Sequence, residues 1–425
     1  MRHARWLAIV ASLALLAPAC SGDDGDGGPT DGEATGNFEG VSITFSTSLA
    51  ETEVPAVEEV VASFEEQSGA NVEFTQVDSA SLPQKLQVEV DSGNHTIHLF
   101  AQDNLALAVL VDDGLVEDLS DVEVPEGVNP ALIPEGFDGV PYFLPYRPNV
   151  KVVYVNKSRF DEAGATPPTT VDEFMATAQA LKDAAGQPKV VIQLEGSSGA
   201  AAVTISEWIV AHGGDPLILN DQGSVEAFTT LQQLWQDELL AEESLQSKFD
   251  TDVDYLRGET AWMAQNWPFT SATFADQGIL GEFTVYEGWA GPVQPAHVIG
   301  GEVLGIPKGV SGQEREAAVA LAQYLMSQEA QEVLVAQNAW PSVRDDALGQ
   351  VPEEQQETFD AIQAALQNGW YRPNVAYWAD VDEAINTAIQ RIMVDGEDVQ
   401  STLDELHGDI EEGAQATGEA YPPAA

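Results

Sequence analysis

The sequence has 425 residues, room for two or three domains at ~100–200 residues each. Hydrophobic residues make up 44% of it, enough to build real cores, which excludes whole-chain disorder. Lys and Arg number 16 against 70 Asp and Glu, a formal net charge of -54, which excludes a nucleic-acid binder that tracks phosphates through a basic groove.

The chain opens like an export signal. Arg2 and Arg5 form a positive start, and Trp6 to Leu16 is a run of 11 residues, apolar apart from Ser12. That run is too short to cross a ~30 Å hydrocarbon core as a helix but suits the apolar segment of a secretory signal. Ala17-Pro18-Ala19-Cys20 follows and resembles a lipoprotein signal, whose Cys is diacylated and becomes the new N-terminus. Ala17 stands where such signals usually carry Leu, and Ala17-Pro18-Ala19 also reads as an ordinary secretory cleavage site. The expectation is a signal over 1–19 and an anchored tether over 20–37, rich in Gly and Asp. A freely secreted protein with an incidental Cys is the alternative. Cys20 is the only Cys, so no intrachain disulfide and no Cys-based zinc site is expected.

Strands and helices then alternate. Val41 to Phe45 alternates as a strand does, and Val54 to Gln67 carries Val57, Val60, Val61 and Phe64 at helical spacing before Gly69. Asn71 to Val77 reads as a strand and Leu82 to Val90 as a helix ended by Ser92-Gly93. Thr96 to Phe100 reads as a third strand, and Leu105 to Val111 as a helix stopped by Gly114. This β-α-β-α-β-α order predicts an α/β fold with largely parallel strands, helices on both faces and ligands beyond the strands' carboxyl ends. Pro141 to Asn156 reads as two strands joined by a proline elbow, an interdomain hinge. A second α/β region spans roughly Val150 to Val298. Val298 to Ile306 is a strand kinked at Gly300-Gly301, and Glu314 to Asn338 is helical, with more helices beyond.

Several segments carry a resemblance. Phe64 to Val72 follows F-E-x-x-x-G-x-x-V, and Tyr154-Val155-Asn156-Lys157 is close to Y-Y-N-K. Ala163 to Phe174 matches A-G-x-x-P-P-T-T-W-D-E-F, with Val171 in place of Trp. Gly258 to Met263 precedes Asn266-Trp267-Pro268-Phe269, and Gly305 to Gly309 and Trp340 to Arg344 fall in the expected places. In this order they resemble the extracellular solute-binding proteins of carbohydrate ABC importers, akin to maltose- and trehalose-binding lipoproteins. The resemblance runs from about Val41 to about Glu411. It implies a two-lobe clamp with several hinge crossings: 38–148 plus 299–345 as one lobe, 149–298 plus 346–425 as the other. It also implies a sugar held between the lobes, permease subunits as partners, a membrane reached only through the lipid anchor, a monomer, and no cofactor.

Sugar recognition needs flat aromatic faces for the C–H faces of the rings and charged or amide groups for the hydroxyls. The resemblance places Glu51 and Asp103 after strands as hydroxyl-binding acids; a surface acid and a helix cap are the competing readings. Arg147 and Asn149 lie on the elbow, where Arg147 faces either an acid across the hinge or the ligand. Trp267 and Phe269 are the stacking candidates, with core packing as the alternative. Gly301 and Glu302 occupy the strand kink, Glu302 standing where some relatives have Trp. Arg372 and Trp378 fall where relatives close the site. The histidines His95, His98, His212, His297 and His407 show no metal spacing.

Two rival functions remain in view. A polyamine or other cation would use the acids and aromatic faces, although the acids are spread along the chain, as on a surface adapted to high salt. A glycan-acting enzyme needs a carboxylate pair, which 70 acids could hide. No His-Glu-x-x-His, Gly-x-Ser-x-Gly or phosphate-loop motif accompanies them.

Overall fold

The computed structural model describes residues 36–422, apart from 50–52, 80, 105–106, 135, 138, 339, 348–350 and 419–420. The expected signal, most of the tether, Cys20 and Glu51 lie outside the described residues. The strands, in chain order, are β1 (Ser42–Thr47), β2 (Asn71–Gln76), β3 (Leu99–Asp103), β4 (Leu144–Asn149), β5 (Val152–Asn156), β6 (Val190–Val191), β7 (Met263–Asn266), β8 (Phe283–Tyr286), β9 (His297–Gly305) and β10 (Gly369–Tyr371).

They form two sheets. The first has the order β10-β9-β3-β1-β2, with β4 also paired to β9; the second has the order β6-β7-β5-β8. Both are mixed, which corrects the expectation of mainly parallel sheets. β1 runs parallel to β2 and β3, but β9 runs antiparallel to β3 and β4. In the second sheet β5 is antiparallel to both neighbours, and only the short β6 is parallel to β7. The parallel half follows from local β-α-β succession. In the first sheet the antiparallel half comes from β9, which follows all the strands of the second sheet in the chain and cannot be inferred from local order.

Each sheet is covered on both faces, as the alternation of its strands requires. In β5, Val153 and Val155 enter a core with the helices Val171–Ala185, Ala200–Ala211, Trp378–Ala388 and Val399–Thr417, while Val152 and Tyr154 enter another with Phe274, Phe283 and Ile362. In β3, Leu99 and Ala101 pack with the helices Val54–Ser68 and Gly312–Leu325, and Phe100 packs on the other side with Leu82, Leu86 and Leu110.

Two local differences from the sequence reading have clear causes. The strand expected from Thr96 begins at Leu99, because the Glu89 carboxylate accepts the backbone N–H groups of Thr96 and Ile97 at 3.0 and 3.1 Å. The expected helix over Glu314 to Asn338 is two helices, Gly312–Leu325 and Gln328–Asn338, broken where Ser327 Oγ caps Ala330 N. Elsewhere the motif punctuation is literal. Asn156 caps the helix Lys157–Ala163, left-handed Gly164 ends it, and Thr170 caps the next.

The chain passes between the sheets at Val150-Lys151, which join β4 to β5, and again between β8 and β9. β10, from the C-terminal part, pairs with the start of β9 in the first sheet. At the β9 kink Gly301 has φ +98, and a Cβ there would fall on the Arg147 carbonyl oxygen, so only glycine fits.

Candidate functional site

A cavity of about 410 Å³ opens between the two sheets, within the ~300–1,000 Å³ usual for small-molecule sites. Seven of the sequence candidates line it: Asp103, Arg147, Asn149, Trp267, Phe269, Gly301 and Glu302. Their convergence follows from the register. Asp103 ends β3 opposite Glu302, and Arg147 of β4 faces Glu302 from the other side. Trp267 follows β7 and sits against Gly300, where any Cβ would lie 2.7 Å from its ring.

The first-sheet wall is polar and held together by Arg147. Its Nη1 donates to Glu53 Oε1 at 2.8 Å, and its Nε lies 3.2 Å from Glu302 Oε2. Its guanidinium also stacks 4.4 Å from the Trp340 ring, whose Nε1 donates to the same Glu53 oxygen at 2.8 Å. The partners of Arg147 are therefore acids of its own wall, not acids across the hinge. Burial works against the charge on Arg147, but Glu53 and Glu302 outweigh it and raise its pKa. Burial pushes Glu302 up to about 7; Arg147 opposes that shift, while Glu53 and Asp103 add to it. Thr47 Oγ1 donates to Glu302 Oε2 at 3.4 Å.

The second-sheet wall is aromatic. Trp267 and Phe269 are joined there by Phe249, which meets Phe269 edge-on at 6.5 Å between ring centres. Phe249 is 42% exposed, although it is a large apolar side chain, and it lines the cavity. Gln193, Asp250 and the residues Ser198 to Ala200 before and within the first turn of the helix Ala200–Ala211 complete this wall.

Arg372 and Trp378 stand off the cavity lining. Arg372 is buried, its guanidinium 4.6 Å over the Trp378 ring. Burial lowers its pKa against the pull of Asp103 and Asp382. Its Nε and Nη1 make no hydrogen bond.

Sequence reasoning missed Glu53, Phe249, Gln193, Asp250 and Ser79, all of which line the cavity, whereas Ser48 lies in the loop beyond β1 where ligands were expected. Glu53 lies two residues beyond Glu51, at the N-cap of the helix Val54–Ser68, and the run Glu51-Thr52-Glu53 offered two acids with no spacing rule to choose between them. Phe249 and Gln193 carried no local signal. Among the described residues, no three His, Cys, Asp or Glu are grouped to hold a metal ion.

No curated protein matches the sequence. Solved structures match over most of the chain. The GacH receptor of Streptomyces glaucescens, solved unliganded and with acarbose, is 16% identical with a TM-score of 0.75, covering 90% of this chain and 99% of that one. The cyclic alpha-maltosyl-1,6-maltose binding protein of Arthrobacter globiformis is 20% identical with a TM-score of 0.76, covering 88% and 99%. Maltose-bound MalE3 of T. maritima is 21% identical with a TM-score of 0.72, covering 88% and 99%. These likenesses establish the two-lobe periplasmic-binding-protein fold. The model for bacterial extracellular solute-binding proteins matches residues 59–357, most of the chain, and with the cleft between its two sheets the chain belongs to that family.

Proposed function

We propose that the chain captures a di- or oligosaccharide between its lobes and delivers it to the permease of an ABC importer, without chemistry of its own and without a cofactor. One observation carries this reading: an aromatic wall of Trp267, Phe269 and Phe249 faces a polar wall of Asp103, Arg147, Glu53 and Glu302 across one cavity. A pyranose has apolar C–H faces and a polar rim, and a cleft with one wall of each kind complements it. The structural neighbours' own ligands, acarbose, cyclic alpha-maltosyl-1,6-maltose and maltose, support the same class.

In this reading the lobes are 38–148 plus 299–345 and 149–298 plus 346–425. They close as ligand contacts on both walls shift the population toward the closed form. Cys20 carries the lipid that holds a monomer at the outer face of the cell membrane. Mass spectrometry of the exported chain tests the anchor: a diacylated N-terminal Cys20 supports it, and an unmodified mature chain refutes it.

The excess of acid around the cavity favours a second reading, a cationic solute such as a polyamine. Against it, Arg147 already occupies Glu53 and Glu302. A thermal-shift screen with maltose, trehalose, sucrose, cellobiose, xylobiose and spermidine separates the two. A ligand at ~100 times its Kd adds ~2.7 kcal/mol to stability. Stabilisation by a sugar supports the proposal, and stabilisation by spermidine alone overturns the substrate class.

A further inference from the structure

A chain of buried polar side chains runs behind the aromatic wall and reaches the cleft only at Gln193. Asp252 is fully buried. Its Oδ1 accepts from Ser247 Oγ, and its Oδ2 accepts from Gln193 Nε2 at 2.8 Å. The same Gln193 nitrogen donates to Asn266 Oδ1 at 3.1 Å. Asn266 Oδ1 also accepts the backbone N–H of Trp267 at 2.8 Å, and Asn266 Nδ2 donates to the Phe249 carbonyl at 2.7 Å.

The donors and acceptors in this chain determine its sense. Asn266 is oriented by a backbone donor on one side and a backbone acceptor on the other, so it offers Gln193 an oxygen. An ionised Asp252 is an acceptor only. Both N–H groups of Gln193 are therefore taken on the inner side, and its Oε1 is left to face the cavity that Gln193 lines. A donor at position 252 would allow the amide to turn and show the cleft an NH₂ group instead.

We propose that Asp252, which does not line the cleft, is a positioning and specificity-determining residue of it: Asp252 holds Gln193 with its carbonyl oxygen toward the ligand and, through Asn266, steadies the backbone that carries Phe249 and Trp267. The proposal rests on the solute-capture reading of this cleft. Burial is the main influence on Asp252 and pushes it up to about 7. Of the charged groups facing it, Lys151 opposes that shift and Asp250 adds to it. Protonation near neutral pH removes the acceptor-only character on which the arrangement depends.

The test uses hydrogen exchange of the peptide holding the Trp267 amide, which needs no ligand, and calorimetric titration with maltose. Asp252→Ala is expected to speed that exchange and weaken maltose binding, each roughly tenfold, about 1.4 kcal/mol. Asp252→Asn, which places a donor at position 252, is expected to show at every pH the faster exchange and weaker binding of the protonated wild type. Unchanged exchange in Asp252→Ala, or exchange in Asp252→Asn as slow as that of wild type at about pH 8, overturns the proposal. Should Asp252→Ala not fold, a pH series decides. Wild-type exchange at Trp267, corrected for the intrinsic rate, should quicken as pH falls from about 8 to about 6, while Asp252→Asn stays flat; a flat wild-type profile overturns the proposal. If wild type does not bind maltose, that ligand assignment fails on its own, and the exchange measurement still decides the role of Asp252.

Discussion

Lys151 Nζ lies 3.0 Å from Glu207 Oε2, an ion pair with both side chains out of solvent. Lys151 belongs to the two-residue link between the sheets, and it also donates to Thr204 Oγ1 at 3.0 Å. Glu207 Oε1 accepts the backbone N–H of Val298 at 3.0 Å, near the start of β9. Glu207 thus ties both inter-sheet strand connections to the helix Ala200–Ala211, whose first turn lines the cleft. Breaking a buried pair on one side leaves an uncompensated charge, which costs ~3–5 kcal/mol, whereas replacing both partners with apolar groups is often near neutral. Urea unfolding should therefore show Glu207→Ala destabilised by ~3–5 kcal/mol and Lys151→Met/Glu207→Leu recovering most of that loss. A double variant as unstable as the single would mean that the contacts to Val298 and Thr204, not the charges, hold the hinge.

The aromatic wall should carry most of the binding energy. Truncating a buried aromatic anchor in a recognition site typically costs ~2 kcal/mol or more, roughly a thirtyfold loss of affinity. Trp267→Ala should show a loss of that order for whichever sugar stabilises the wild type. Phe249→Ala should lose less affinity and leave Tm nearly unchanged, because Phe249 is already 42% exposed in the open cleft. Calorimetric titration and thermal melts on the same samples check both. Undiminished affinity in Trp267→Ala would make its ring a packing element against Gly300.

What the sequence made legible was local. The start of β2 at Asn71, the helix ends at Gly69 and Gly93 and the Gly300-Gly301 kink all follow from residue chemistry within a few positions. Asp103 and Glu302 sit in one cavity because each lies at a strand position that opens onto it, which a strand reading already suggests. Strand sense was not legible, because β9 pairs with strands about 150 and 200 residues earlier in the chain, a long-range fact with no local marker. Nor were Phe249 and Gln193, whose roles arise only when the segments around Val190–Val191 and Phe249–Arg257 fold against β7. Arg372 and Trp378 were singled out by the resemblance alone, and their place off the cavity lining, with Arg372 buried over the Trp378 ring, depends on the packing of the Trp378–Ala388 helix.

Gly301 should tolerate no side chain. Its φ of +98 lies where L residues are strained, and a Cβ would meet the Arg147 carbonyl. Such strain costs ~1–3 kcal/mol before the clash is added. Gly301→Ala should lower Tm and displace Arg147 from Glu302, so its binding should weaken as well. A variant as stable as wild type would show that the β9 kink relaxes without cost.

Glu302 gives the molecule a pH-dependent stability of definite sign. Burial raises its folded pKa to about 7 from the 4.5 of an unfolded chain. Between those values the folded state keeps a proton that the unfolded state releases, so the contribution of Glu302 to stability falls as pH rises from about 4.5 to about 7 and is level above that. Glu302→Gln is uncharged throughout, and its unfolding free energy should lack this slope. The comparison is made as a difference between wild type and variant, so that the many exposed acids cancel. The same window should appear in binding, because Glu302 lines the cavity and its ionised form pairs with Arg147. Parallel wild-type and Glu302→Gln stability curves across this range would mean that Arg147 holds Glu302 ionised at all these pH values, and that the polar wall of the cleft carries a fixed charge.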